Sequence, residues 1–329
     1  MNKEWVFNVL NDIGVSNILR NRKRKKLTVL SLHRVSPETD YFWDPIKPNT
    51  FELLLKYLRK YYTIISFSDI DSITDPALSE KPYLILSFDD GYYDFYEYAL
   101  PLLVKYDISS NHNIVNECAE NNYVIWTQRM NTIFTHCRKN DITLNFQHSN
   151  GVQKFSDHHS NWMEFYLYMY RWMLGQTNSE RNFIIEQKEN ELSISTQARM
   201  MNWEQVKECA SNKVEIGSHS YSHDVLSTIS DPAVLTKEIV SSTKELEHRL
   251  QKKVSVLALP NSEANHDIKR YATEAGLRYI LFVDNNLNGW THVKKPGVVY
   301  VDRLNLVEEP ISSMILRAES LHAKLRQYV

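Results

Sequence analysis

Short apolar runs alternate with stretches of helical period along most of this chain. Leu27 to Leu32 (LTVLSL) has the length and continuous apolarity of a buried strand, and Phe51 to Tyr61 (FELLLKYLRKY) repeats its apolar residues every 3.6 positions, as a helix does. The pair recurs. Tyr83 to Phe88 (YLILSF) predicts a strand closed by Asp89, Asp90 and Gly91, and Tyr98 to Tyr106 (YALPLLVKY) a helix that Pro101 either opens or kinks. Further on come strand Val214 to Gly217, helix Asp231 to Leu250, strand Val254 to Leu259, helix Asp267 to Ala275, strand Tyr279 to Val283 and a late VYVDR strand ending at Arg303. Repeated strand and helix units predict an α/β protein, a parallel sheet or barrel whose active face lies at the C-terminal strand ends.

Two stretches break the alternation. From about 118 to 200 the chain is polar and helical, with an aromatic band at Trp162, Phe165, Tyr166, Tyr168, Met169, Tyr170 and Trp172; it reads as a helical insertion. The band suits core packing, and it also suits rings that flank a cleft and stack on the apolar faces of sugars. At the N-terminus Trp5, Val6, Val9, Leu10, Ile13, Ile18 and Leu19 predict one or two short amphipathic helices, followed by basic residues from Arg20 to Lys26. That run serves either as a solvated linker or as a peripheral contact with anionic lipid, where each cation contributes about 1 kcal/mol. The domain reading is thus a segment over 1–26 and a single barrel domain over 27–329.

Composition narrows the classes. Hydrophobic residues at 43% and charged residues at 24% describe a folded chain, and 329 residues accommodate two domains or one decorated barrel. A net charge of −2 argues against nucleic acid as a partner. Cys118, Cys137 and Cys209 fall outside any CxxC spacing, which indicates neither a disulfide framework nor a thiolate zinc site. The N-terminal apolar stretch is interrupted by Asn8, Asn11 and Asp12, unlike a secretory signal, and no run approaches the about eighteen apolar residues of a spanning helix. The expected location is cytoplasmic, peripheral at the inner membrane face where the basic run permits.

Three strand ends carry ligand chemistry. Asp89 and Asp90 in SFDDG point in diverging directions from a strand terminus, so one can hold a metal while the other acts as a base beside it; alone, the pair also suits a turn or helix N-cap. His219 and His223 stand at i and i+4, a spacing able to present two nitrogens to one metal. Two histidines with one carboxylate make three ligands and leave a coordination position open, the arrangement of a catalytic zinc-type site.

These residues resemble the polysaccharide deacetylases of carbohydrate esterase family 4, which share the NodB homology domain. SFDDG is similar to that family's TFDDG motif, and GSHSYSH at Gly217 to His223 to its H(S/T)xxH motif. LTVLSLHRVSP resembles the corresponding segment of members whose catalytic-histidine strand precedes the aspartate pair, a permuted barrel. The resemblance implies a distorted (β/α) barrel with Asp89 as base and Asp90, His219 and His223 as ligands of one divalent metal, Zn2+ first, with Co2+, Ni2+ or Mn2+ as alternatives. His33 then fits the general acid, its ordinary pKa near 6.5 suiting proton donation to a departing amine. Leu321-His322 spells a late Leu-His motif of the family and is the weaker choice for that role.

The chain also departs from the family. Ala258-Leu259-Pro260-Asn261-Ser262 stands where members have Tyr-Pro-x-Gly near an arginine, and Ser110-Asn111-His112-Asn113-Ile114 where an apolar strand is usual. Arg303, at a strand end, is the candidate to replace the missing arginine beside Asp89. His112, Asn113, Pro260 and Asn261 are candidates to face the substrate. The implied activity is removal of N-acetyl groups from amino sugars of a bacterial surface glycan or its precursor. Two alternatives remain: a related hydrolase cleaving another amide or an O-acetyl ester, and a non-catalytic glycan-binding or assembly protein with a vestigial site.

Overall fold

The computed structural model describes residues 14–21, 23, 25–146, 161–264 and 266–321. The predicted amphipathic stretch from Trp5 to Ile13, together with Arg22, Arg24 and His322, lies outside them. Nine strands follow in chain order: β1 Lys26–Leu32, β2 Thr63–Ile64, β3 Tyr83–Phe88, β4 Ser110–Ile114, β5 Val214–Ser218, β6 Val256–Ala258, β7 Tyr279–Val283, β8 Asn288–Gly289 and β9 Val299–Asn305. Seven of them, in the order β1-β3-β4-β5-β6-β7-β9, pair in parallel, and β9 returns to β1 to close a barrel. The two shortest strands extend its base: β2 pairs with the start of β3 and β8 runs antiparallel to the start of β1.

Side-chain alternation divides the barrel into two shells. Leu27, Val29, Ile85, Val256, Ala258, Tyr279, Leu281, Val299 and Val301 form a lumen cluster, plugged by Phe67, Ile70, Trp290 and Val293. Their neighbours Leu30, Leu32, Leu84, Leu86, Phe88, Leu257 and Ile280 face outward and pack with the helices. A strand buried on both faces reads as a continuous apolar run, which is why LTVLSL and YLILSF were legible. The helix after β3 shows what Pro101 does. Phe95–Ala99 forms a π-helical turn that passes into an α-helix at Leu100–Tyr106, and Pro101, which has no N–H to give an α-helical bond, falls directly after that widened turn.

Besides the helix Trp203–Ser211 that leads into β5, the helices between β4 and β5 lie at Asn116–Asn121, Trp126–Lys139, Trp162–Leu174 and Asn178–Leu192. The last three build a core of their own, with Trp126, Met130, Phe134, Phe165, Tyr166, Met169, Met173 and Ile185 closing around Phe42 and Val225 from the barrel loops. Most of the aromatic band is therefore packing.

The basic run departs from expectation. Arg20 is buried, its guanidinium 3.4 Å from Glu319 and over the Tyr61 ring, and Lys23 is buried 3.6 Å from the same carboxylate. The buried Glu319 carboxylate draws both side chains inward. Of the described residues in the run, Asn21, Lys25 and Lys26 stay exposed. No helix among the described residues is long and apolar enough to cross a membrane.

Glu215, near the base of the barrel, generates a stability prediction. It accepts hydrogen bonds from the backbone N–H groups of Phe67 (2.6 Å) and Ser68 (3.4 Å), yet burial pushes its carboxyl up to about 7. A carboxyl whose folded pKa is raised contributes stability that is complete below about 4.5 and lost as pH climbs to about 7. Glu215→Gln, which stays neutral, should gain on the wild type by on the order of 2 kcal/mol across that window in urea unfolding. Parallel pH profiles would show a carboxyl ionised throughout.

Candidate active site

The C-terminal strand ends open into a cleft of about 410 Å³ whose lining includes His33, Trp43, Asp89, Asp90, His219, His223, Asn261, Arg303 and Asn305. Parallel strands bring them together: β1 delivers His33, β3 the aspartate pair, β5 the histidines and β9 Arg303.

Asp89 is held from three sides. Arg303, buried, donates from Nη1 to Oδ1 at 2.9 Å and approaches Oδ2 with Nη2 at 2.8 Å, a two-pronged guanidinium clamp. Asn113 Nδ2 donates to Oδ1 at 2.7 Å, and His33 Nε2 stands 3.9 Å from Oδ2. Burial alone would raise the Asp89 carboxyl; the Arg303 charge overrides it and holds Asp89 far below the usual carboxylate range. The group is ionised at neutral pH. For His33 burial is the largest influence and lowers its pKa, partly opposed by Asp90 and Asp89; Trp43 packs edge-on against it at 5.4 Å.

Asp90, His219 and His223 form a buried triad whose potential ligand atoms lie within 4.8 Å of one another. The Nε2 atoms of His219 and His223 stand 3.2 and 3.4 Å from Asp90 Oδ1. His219 Nδ1 sits 2.9 Å from the Ala258 carbonyl; donating there leaves Nε2 as the free lone pair, the outer contact that orients a ligating imidazole. Two nitrogens and one carboxylate oxygen, converging at the cleft floor, fit one divalent cation with an open position. The backbone is strained to achieve this. Asp90 (φ +78°), Ser220 (φ +64°) and His223 (φ +60°) occupy the left-handed region, a cost that persists where surrounding structure enforces it. Glu238 does so for the histidine loop, accepting from Tyr221 N, Ser222 N and Ser222 Oγ at 2.8 to 3.1 Å.

Three substrate-facing expectations are corrected. His112 points outward from β4, fully buried, packed edge-on to Phe95 at 4.1 Å, and burial lowers its pKa to about 4. Asn113 faces the lumen one layer beneath Asp89, where its amide is spent on Asp89, Ser87 and the Phe88 carbonyl. Pro260 is buried under its turn. Asn261 alone of the four lines the cleft. Sequence reasoning missed Trp43 and Asn305; an aromatic triplet, Tyr41-Phe42-Trp43, in an otherwise polar loop was the available signal for the first.

Fold and site together define a hydrolase of the carbohydrate deacetylase class. The polysaccharide deacetylase family model matches residues 78–280, more than half the chain, and the chain belongs to that family. No curated protein matches it significantly in sequence. Among solved structures it is similar to the Streptococcus pyogenes deacetylase PplD in complex with acetate (16% identity, 89% of this chain and 98% of that one, TM-score 0.59). IcaB from Ammonifex degensii aligns at 16% identity over 90% and 97% of the two chains, TM-score 0.54. A de-N-acetylase from Aggregatibacter actinomycetemcomitans aligns at 19% identity over 86% and 95%, TM-score 0.50.

The layer under Asp89 can be tested through Gly217. A Cβ there would meet Asn113 Oδ1 at 2.1 Å and Asn111 Nδ2 and Val256 Cβ at 3.1 Å. Gly217→Ala should destabilise by roughly 1–3 kcal/mol in urea unfolding by displacing Asn113. Combined with Asn113→Ala, which makes room, the loss should fall short of the sum of the single changes. Strict additivity would show that the two side chains do not share this space.

Proposed function

We propose that this chain removes N-acetyl groups from amino sugars of a bacterial surface glycan or its precursor, with a divalent metal held by Asp90, His219 and His223. The observation that carries the reading is the side-by-side placement of an Arg303-clamped carboxylate and a buried Asp-His-His triad at one cleft floor. The names of similar structures, a de-N-acetylase and a deacetylase holding acetate, support it.

A divalent cation in the triad, Zn2+ by the donor set, supplies Lewis-acid polarisation of an amide carbonyl and acidifies water. Asp89, ionised and fixed by Arg303, takes a proton from the attacking water as its oxygen bonds to the acetyl carbon. Arg303 keeps both carboxylate oxygens in place while that proton arrives, and Asn113 holds Oδ1 from below. His33 stands across from Asp89 and delivers a proton to the amide nitrogen as the C–N bond breaks, giving acetate and the free amine. Phe42, Trp43, Tyr166 and Tyr170 wall the cleft and suit the apolar face of a sugar ring.

Metal content and acetate release on the same preparations test this. Asp89→Asn should keep about one metal per chain and lose at least about a hundredfold in turnover, the scale of a general base. Asp90→Ala and His219→Ala should lose both metal and activity. Equal activity in all three sinks the proposal, and saccharide binding by a metal-poor wild type that releases no acetate would favour the binding-protein alternative.

A further inference from the structure

Tyr170 reaches the site from the helical insertion, outside the SFDDG and GSHSYSH motifs. Its hydroxyl donates to Asn261 Oδ1 at 2.9 Å, and both residues line the cleft. The phenol is anchored behind: its ring lies parallel to Trp126 (centroids 5.7 Å apart, 17° between planes), and the Arg181 guanidinium sits over Trp126 while pairing with buried Asp224 next to His223. Burial raises the Tyr170 hydroxyl to about 12, so it carries its proton at neutral pH.

Asn261 is placed with equal care. Its backbone lies in the left-handed region at φ +54°, followed by Ser262 at +61°, and Ser262 Oγ accepts from Val283 N at 3.0 Å to pin the turn. With Oδ1 accepting from Tyr170, the amide cannot rotate without losing that bond, and Nδ2 lies just beneath the cleft surface with no hydrogen-bond partner among the described residues, so a saccharide oxygen meets it once binding shifts the thin cover over it. A shielded donor without a partner costs free energy unless something fills it.

We propose that Tyr170 is a positioning residue that fixes the Asn261 amide so that Nδ2 donates to an acceptor oxygen of the bound saccharide, making the insertion a determinant of which sugar is accepted. The inference rests on the saccharide reading above. A donor presented before reaction favours substrate and transition state alike, so its loss appears in KM rather than kcat. It also selects for an oxygen at that point, since an analogue lacking it leaves the donor unfilled.

The test uses the full chain loaded with zinc and N-acetylglucosamine oligosaccharides of more than one linkage. Asn261→Asp keeps the acceptor for Tyr170 and removes the donor; Tyr170→Phe keeps the stack on Trp126 and removes the bond. Each should raise KM about tenfold, the scale of one hydrogen bond, with kcat within about twofold and the melting temperature held. Tyr170→Phe added to Asn261→Ala should do no further harm, because Tyr170 acts through that amide. Wild-type KM in Asn261→Asp, or additive losses in the double variant, would overturn the inference. Binding of the same oligosaccharides to Asp89→Asn protein, with and without Asn261→Asp, separates the two readings. Lost affinity without acetate release from the wild type would remove the deacetylase reading and leave the positioning role standing. Normal acetate release with unchanged affinity would do the reverse.

Discussion

The two-pronged contact between Arg303 and Asp89 is the constraint around which the barrel mouth is arranged. The residues are 214 positions apart, and both are buried at the end of the lumen. Removing one partner of such a pair strands a charge at a cost of about 3–5 kcal/mol, so β9 must close against β1, beside β3, for the mouth to exist at all. The layer beneath follows from it. Ser87 Oγ donates to Asn111 at 2.7 Å and accepts from Arg303 at 3.3 Å, Asn113 reaches up to Asp89, and Gly217 leaves the space that Asn113 fills. Below that polar layer the lumen is mainly hydrocarbon, down to Glu215 at its base.

The same arrangement gives two adjacent carboxylates different work. Asp89 sees a guanidinium and an amide, which hold it as an ionised group. Asp90, at φ +78°, turns away toward two imidazoles, which hold its carboxyl well below its ordinary value although burial opposes them. Adjacent residues thus end in opposite surroundings, one carboxylate on a guanidinium and the next on two imidazoles, because the backbone turns through the left-handed region at Asp90.

Much of this was legible in the chain. Continuous apolar runs mark strands buried on both faces, and the Asp-Asp and His-x-x-x-His groupings stand at their ends, where a parallel barrel gathers polar side chains. Arg303 was legible only as a strand-end cation; its partner is set by barrel closure, which no local spacing encodes. β4 was the hard element. Its run Ser110-Asn111-His112-Asn113-Ile114 is polar on both faces, so nothing in the pattern tells inward from outward, and His112 and Asn113 were both read as substrate-facing when one packs on Phe95 and the other props Asp89. β2 and β8 are too short, at two residues each, to carry any periodic signal.

The insertion's separate core has a different kind of consequence. Its apolar cluster touches the barrel through Phe42 and Val225, and polar contacts such as Arg181 with Asp224 and Tyr170 with Asn261 tie it down. The strand-end residues and the part of the cleft wall that holds Tyr166 and Tyr170 are thus written on different stretches of chain with different packing requirements. Over evolutionary time such a protein can rewrite one helical stretch to recognise a new glycan while the inherited reaction stays under unbroken selection.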